Sequence, residues 1–373
     1  MVIRLGIIGL SADPQAWAAV AHIGPLRQKA LTDKYELTAV ATSSLKTAKA
    51  AAKAYGVPES KAYDNPEDIA NDQDVDMVVV SVKVPMHHQL TKPALRAKKD
   101  VLVEWPLGAN TAQAEELAAL AKSQNVKNAV ALQARTSPLV QKAKEIIDSG
   151  AIGRIMATNM VINSAAMMKL PEKAAYLGDQ ASGASVVSIA VAHSLDPIVY
   201  LLGEFEWLSA LLTTSSPTIQ FYKPDGSLTA PEPRNFADCI SIHGKLDGGA
   251  AVNFACNTTE GSPDGLTWDI IGEKGTIKMD LEKSMLQMAE GKLSLYQPPG
   301  SAGNEGLYGV QKAGTWTDVP IEPHMAFGGI GELYNAFAEG KGGFADFDEA
   351  VKRHKMVDAI FRSGEKGTRE SYL

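Results

Sequence analysis

The sequence predicts an α/β domain built on a parallel sheet, followed by an α+β domain of mainly antiparallel strands. Three observations carry that expectation. The 373 residues exceed what one hydrophobic core usually organises. Up to about residue 130, short β-branched runs alternate with alanine-rich helical stretches, the pattern of stacked βαβ units. From about residue 153 the strand-like runs lengthen and follow one another with few helices between them. The expected domains are therefore 1–130 and 131–373, the second including two closing helices.

In the first part, Ile3 to Ile8, Leu37 to Ala41, Met77 to Val82, Val101 to Val103 and Ala129 to Leu132 read as strands. Gln15 to Thr32, Thr47 to Tyr55, Gln89 to Lys98 and Thr111 to Gln124 carry apolar residues at helical spacing, and Asn110 or Thr111 can cap the last of these. In the second part, strands are expected at Ile155 to Ile162, Trp207 to Thr214, Ala237 to Lys245, Ala250 to Thr258, Thr267 to Gly272 and Thr276 to Leu281. Helices are expected at Ser185 to Leu202, Gly329 to Gly340 and Asp348 to Ser363. Residues 215–233 and 297–309, rich in proline and glycine, read as excursions of the second domain.

A formal charge of −7 and a pI near 5.6 oppose a phosphate-backbone partner, and no basic cluster makes a local exception, so direct contact with nucleic acid is not expected. No apolar run approaches the ~18 residues that span a bilayer, and the amino terminus lacks a signal-peptide layout; a cytoplasmic protein with no membrane partner is the expectation. Two cysteines, Cys239 and Cys256, are too few for a disulfide framework or a metal cluster, and no metal is expected.

The segment Gly6-Ile7-Ile8-Gly9-Leu10-Ser11-Ala12 follows the first strand and precedes a helix, the setting in which a glycine turn binds a dinucleotide pyrophosphate. Gly9 supplies the tight turn; Ser11 and Ala12 are small but are not glycine, and Asp13-Pro14 lengthens the loop. After the second strand, NAD sites place a carboxylate on the adenosine ribose. Thr42-Ser43-Ser44-Leu45-Lys46 has none, and its hydroxyls with Lys46 suit a 2′-phosphate, so NADP (NADPH) is expected ahead of NAD. The plainer reading gives Ser43 or Ser44 to a helix N-cap and Lys46 to solvent.

The segments Ser81-Val82-Lys83-Val84-Pro85-Met86-His87, Val101 to Leu107, Gln133-Ala134-Arg135-Thr136-Ser137-Pro138, Ile147 to Gly153, His193-Ser194-Leu195-Asp196 and Ile271-Gly272-Glu273-Lys274-Gly275-Thr276 resemble the glucose-fructose oxidoreductase and inositol dehydrogenase (Gfo/Idh/MocA) family, in family order over nearly the whole chain. The Gly9-Leu10 turn with its insertion, Trp17, Glu104-Trp105 and Leu132-Gln133 resemble the subgroup of the fungal galactose-regulon repressor. The resemblance implies a doubly wound Rossmann sheet followed by an open-faced, mainly antiparallel sheet, a dinucleotide cofactor, hydride exchange with a carbinol carbon of a small-molecule substrate, and homodimers or homotetramers through the C-terminal sheet.

The resemblance also raises a chemical question. The family pattern is Glu-Lys-Pro, the Lys serving as acid/base, and this chain has Glu104-Trp105-Pro106. An indole donates a hydrogen bond but exchanges no proton near neutral pH. Trp105 either walls the nicotinamide or an apolar substrate, or only closes a cleft. His193 matches the second active-site position and titrates ordinarily near 6.5; Asp196 follows at i+3, while Ile189 and Val191 depart from the family's acid and glycine. Lys83 and Tyr176 are the alternative proton carriers, with His193, Tyr176 and Asp196 as further substrate contacts. Val82, Lys83, His87, Glu104, Pro106 and Gln133 join Gly9, Leu10, Ser11, Ala12, Trp17, Thr42, Ser43, Ser44, Lys46 and Trp105 as expected cofactor residues. Two functions follow: an NADP(H)-dependent oxidoreductase acting on a carbonyl, imine or secondary alcohol, or a catalytically silent dinucleotide-binding regulator that binds a protein partner.

Overall fold

Six strands pair in parallel, in the order β3-β2-β1-β4-β5-β6: β1 Ile3–Ile8, β2 Tyr35–Ala41, β3 Ala62–Tyr63, β4 Met77–Val80, β5 Asp100–Glu104 and β6 Asn128–Ala131. This is the strand order of a dinucleotide-binding sheet, with its reversal point between β1 and β4. The computed structural model describes residues 2–165, 168–288, 290–299, 314–321 and 328–373. The strands of a parallel sheet are covered on both faces, which is why Met77–Val80 is buried at every position and reads as an unbroken apolar run.

Helix ends follow local chemistry. Ser44 caps the helix Leu45–Tyr55 by accepting the Thr47 N–H, Asn65 caps Pro66–Asn71 through the Asp68 N–H, and Asn110 caps Thr111–Gln124 through the Gln113 N–H. The single helix expected over Gln15 to Thr32 is instead three pieces: a π-turn Ala19–Ile23, a short α-turn Gly24–Leu26 and Lys29–Thr32. Gln28 is extended at φ −74°, ψ 145°, and Pro25 withholds a backbone donor, so the ladder breaks there.

The chain forms two compact units. The first comprises Met1–Ser137, Ala174–His193 and Phe327–Asp358. Its core includes Leu5, Ile7, Val40, Val79 and Leu102 from the sheet together with Ile330, Leu333, Tyr334 and Phe337 from the helix Gly328–Glu339. The start of the helix Phe347–Lys366 also belongs to this unit.

The second unit comprises Pro138–Lys173, Ser194–Ala326 and Ala359–Leu373. Its strands are β7 Ile155–Ser164, β8 Lys169–Pro171, β9 Phe205–Thr213, β10 Thr218–Tyr222, β11 Glu232–Pro233, β12 Cys239–Leu246, β13 Ala251–Thr258, β14 Gly265–Gly272, β15 Thr276–Leu281, β16 Lys292–Gln297 and β17 Thr315–Val319. Eight of them form one sheet, in the order β17-β16-β15-β14-β7-β13-β12-β9, and β11-β10-β8 forms a small one. The large sheet is antiparallel except for β7 against β13, a parallel pair that the strand pattern did not foretell. One face alternates into a core holding Met160, Ile240, Phe254 and Trp268. On the other face Asn253 and Asn257 donate amide hydrogen bonds to Asn159 and Asn163 beside a depression of about 530 Å³. Residues 300–309 of the second expected excursion lie outside the described residues, and among those described no helix is long and apolar enough to cross a membrane.

Gly9 ends β1 with φ +100°, where an added Cβ would lie 2.1 Å from the Ser81 carbonyl oxygen. Gly150 also has a positive φ of +74°, but open space surrounds it. In urea denaturation Gly9→Ala is expected to lose more than ~2 kcal/mol, whereas Gly150→Ala loses about 1 kcal/mol from backbone strain alone.

Candidate active site

A cavity of about 580 Å³ opens in the first unit at the carboxyl ends of β1, β2 and β4. Ile8, Gly9 and Ser11 form its turn side, Ala41, Thr42, Ser43 and Thr47 one wall, Asp64, Asn65 and Pro66 another, and Val82, Lys83, Met86 and Leu90 an apolar slot ending in an ammonium. The wall is hydroxyl-rich because the chain leaving β2 turns straight into a capped helix: Thr47 Oγ1 lies 2.6 Å from Thr42 Oγ1 and 2.8 Å from the capping Ser44 Oγ. Ser44 thus serves the helix, and Lys46 is not among the cavity residues. Asp64, which the sequence reading passed over, brings a carboxylate from the end of β3.

Two buried polar atoms near the strand ends lack hydrogen-bond partners among the described residues: Ser81 Oγ just after β4, and Gln133 Oε1 two residues after β6. Ser81 is 7% exposed and Gln133 1%. Orphaned polar groups at the carboxyl edge of such a sheet are what a ligand with donors and acceptors would satisfy. With the glycine turn and the hydroxyl wall, they make these residues a fitting cradle for a dinucleotide.

Lys83 precedes the helix Val84–Arg96, and its Nζ stands 5.2 Å from the ring centre of Tyr176. Two candidates read separately in the sequence are thereby brought together. Burial pushes the Tyr176 phenol above its ordinary value.

A second cluster surrounds Glu104. The Trp17 indole N–H donates to Glu104 Oε1 at 2.6 Å, and His22 Nε2 lies 2.8 Å from the same oxygen. His22 Nδ1 is 2.9 Å from the Tyr334 hydroxyl, and Tyr35 donates its hydroxyl hydrogen to the Tyr334 carbonyl oxygen at 2.8 Å. Burial alone would raise the Glu104 pKa; the His22 and Trp17 hydrogen bonds and the charges of His22 and His193 outweigh it and hold the carboxyl below its ordinary value.

Trp105 is 4% exposed and does not line the cavity at the strand ends. Its indole N–H donates to the Ser188 carbonyl oxygen at 2.7 Å, and its ring lies against His354 with centroids 4.9 Å apart. His354 accepts the Gly108 N–H at 3.4 Å. His87 is enclosed, Nδ1 2.7 Å from the Pro106 carbonyl oxygen and Nε2 3.0 Å from that of Val82. Arg135 pairs with Glu349. Leu10 is buried under the turn, Ala12 is exposed, and neither lines the cavity; nor do Trp17, His87, Glu104, Pro106 or Gln133. His193 is buried two residues beyond a π-turn, and Asp196 is buried farther along its helix. His22, Ser188, Tyr334 and His354 carry no motif of their own, and Ser81 lies in a segment that resembles the family.

Comparison with known proteins fits this geometry. Residues 3–132 match the GFO/IDH/MocA oxidoreductase family with an NAD-binding Rossmann fold, and residues 138–281 match the Gal80p C-terminal domain. The chain is 38% identical over 99% of its length, and 98% of the relative's, to dehydrogenase aclE of Aspergillus oryzae. It belongs to the Gfo/Idh/MocA family. A second relative, levoglucosan dehydrogenase of Pseudarthrobacter phenanthrenivorans, is 25% identical over 88% of this chain and 87% of its own. The crystal structure of the transcriptional regulator Gal80p from Kluyveromyces lactis superposes with a TM-score of 0.84 at 26% identity, covering 100% of this chain and 92% of that one. The two-sheet architecture of this family member is therefore the one expected from its sequence.

Burial lowers the His354 imidazole to about 4, helped by the charge of His87. Burial also lowers His87, against the pull of its two carbonyl partners and of Glu104. Both stabilise the fold as neutral rings, a contribution complete above the ordinary value of about 6.5 and lost as pH falls through the folded values. Stability should therefore drop between about pH 6.5 and about pH 4, and His354→Gln should flatten that slope by roughly one proton in denaturation measured across the window.

Proposed function

We propose that this family member is an NADP(H)-dependent oxidoreductase that moves a hydride between nicotinamide C4 and the carbon of a small carbonyl, imine or secondary alcohol, sugar-like or cyclic. The observation that carries the reading is the cavity of Gly9, Thr42, Ser43, Val82 and Lys83, with Ser81 Oγ orphaned beside it. The dehydrogenase relatives support the reaction class. In this reading Gly9 and Ser11 receive the pyrophosphate, Thr42, Ser43 and Thr47 the 2′-phosphorylated ribose, and Gln133 Oε1 accepts an amide hydrogen. The bound nicotinamide supplies or accepts the hydride. His193 gives or takes the substrate proton, and Lys83 with Tyr176 closes the polar side of the site. The proposal extends to a homodimer or homotetramer formed through the open face of the eight-stranded sheet.

His193→Ala is expected to keep NADPH binding, followed by fluorescence titration, while NADPH oxidation across cyclic ketones, imines and sugar lactones falls by about 100-fold or more. Undiminished turnover in that variant removes His193 from the chemistry.

Asp64 offers a sharper check on the cofactor. Its carboxylate on the cavity wall repels a 2′-phosphate, so Asp64→Asn should tighten NADPH by roughly two- to fivefold and leave NADH binding nearly unchanged, read by the same titration. Equal effects on both dinucleotides would take the 2′-phosphate off that wall.

A second reading has its own observation. The Gal80p-type C-terminal domain, together with a Trp105 whose only donor is spent on the Ser188 carbonyl, favours a dinucleotide-binding regulator that binds a protein partner. NADPH binding without turnover on any substrate in the panel would select it.

A further inference from the structure

The helix that carries His193 begins irregularly. Ser185 and Ser188 cap each other, the Ser185 N–H donating to Ser188 Oγ at 2.7 Å and the Ser188 N–H to Ser185 Oγ at 3.2 Å. Val187–Val191 then winds as a π-turn before the α-helix Ala192–Leu202. In an uninterrupted α-helix the Ala192 N–H would bond the carbonyl four residues back, that of Ser188. Here it goes to the carbonyls of Ile189 and Val187. The Ser188 carbonyl oxygen accepts the Trp105 indole N–H instead, in a bond with almost no access to water.

A π-turn adds one residue to a turn, and each residue rotates an α-helix by about 100°. Side chains beyond it therefore point about 100° away from where a regular helix would send them. His193 is the second residue past this turn, so its direction depends on whether the turn is π or α. We propose that Trp105 is the positioning residue for His193: its indole captures the Ser188 carbonyl, holds Val187–Val191 in the π form and sets the helix face from which His193 projects. Without the indole N–H, the buried Ser188 carbonyl would lose that donor, and relaxation to an α-turn would give it the Ala192 N–H in exchange. The functional consequence rests on His193 as the proton carrier; the positional claim does not.

The test uses the full chain with ¹⁵N-labelled histidine and compares the native protein with Trp105→Phe, the His193 imidazole signal being assigned from its loss in His193→Gln. In Trp105→Phe that signal should shift or broaden while that of His243, exposed on β12 of the second unit, stays in place. NADPH binding should persist, and turnover with a cyclic ketone that the native protein reduces should fall about tenfold in kcat at unchanged KM. An unmoved His193 signal in a variant that binds NADPH overturns the proposal. Should Trp105→Phe not fold, 3-benzothienylalanine at position 105 keeps the bicyclic ring, lacks the N–H and gives the same readout. An active His193→Gln variant overturns the proton-carrier reading alone, because the imidazole signal in Trp105→Phe still decides whether Trp105 positions His193.

Discussion

Glu104 holds a carboxylate where water scarcely reaches, and a cluster of polar side chains from three parts of the first unit makes that tolerable. An isolated buried charge costs several kcal/mol, so it persists only where donors converge on it. Trp17 reaches it from the lengthened turn after β1, His22 from the first π-turn, and Tyr334 supports His22 from a helix near the chain's end. One carboxylate thus ties the glycine turn, the end of β5 and the helix Gly328–Glu339 into a single polar core. Its neighbour Trp105 reaches the second π-turn. The two π-turns described in this unit are each held by one of two consecutive side chains, Glu104 and Trp105.

Much of this fold is legible in the sequence because its signals are local. The β4 segment reads as an apolar run since both its faces are buried, and Thr111–Gln124 reads as a helix since Asn110 caps it and its alanines and leucines recur on one face. The segment after the dinucleotide turn misleads for an equally physical reason. Its apolar spacing is helical throughout, but the backbone of Gln28 is extended and His22 is drawn toward Glu104, so tertiary demands override the local preference. Two-residue β3 is too short to leave a periodic trace, and the parallel pairing of β7 with β13 depends on chain paths that no window of sequence contains.

The site divides along the same line. Gly9, Thr42, Ser43, Val82 and Lys83 line one cavity, and their pattern is local because each lies within a few residues of a strand end. Tyr334 lies 312 positions from His22, and Ser188 lies 83 from Trp105; such partners have no signature until the chain is folded. Asp64 leaves no mark in the sequence because a cofactor carboxylate belongs by pattern after the second strand, while this fold brings one to the cavity from the third.

A side chain as enclosed as Trp105 also restricts how this lineage can drift. The indole is enclosed, ends in one donor and finds one acceptor, with the His354 ring against it at a tilt of 48°. A lysine in that space would bring an ammonium to a place built for a neutral ring, and a leucine would leave the Ser188 carbonyl without its donor. Position 105 is therefore tied to the backbone at 188 and to the ring at 354, both remote in the sequence, and a change of side chain at 105 is felt at both places.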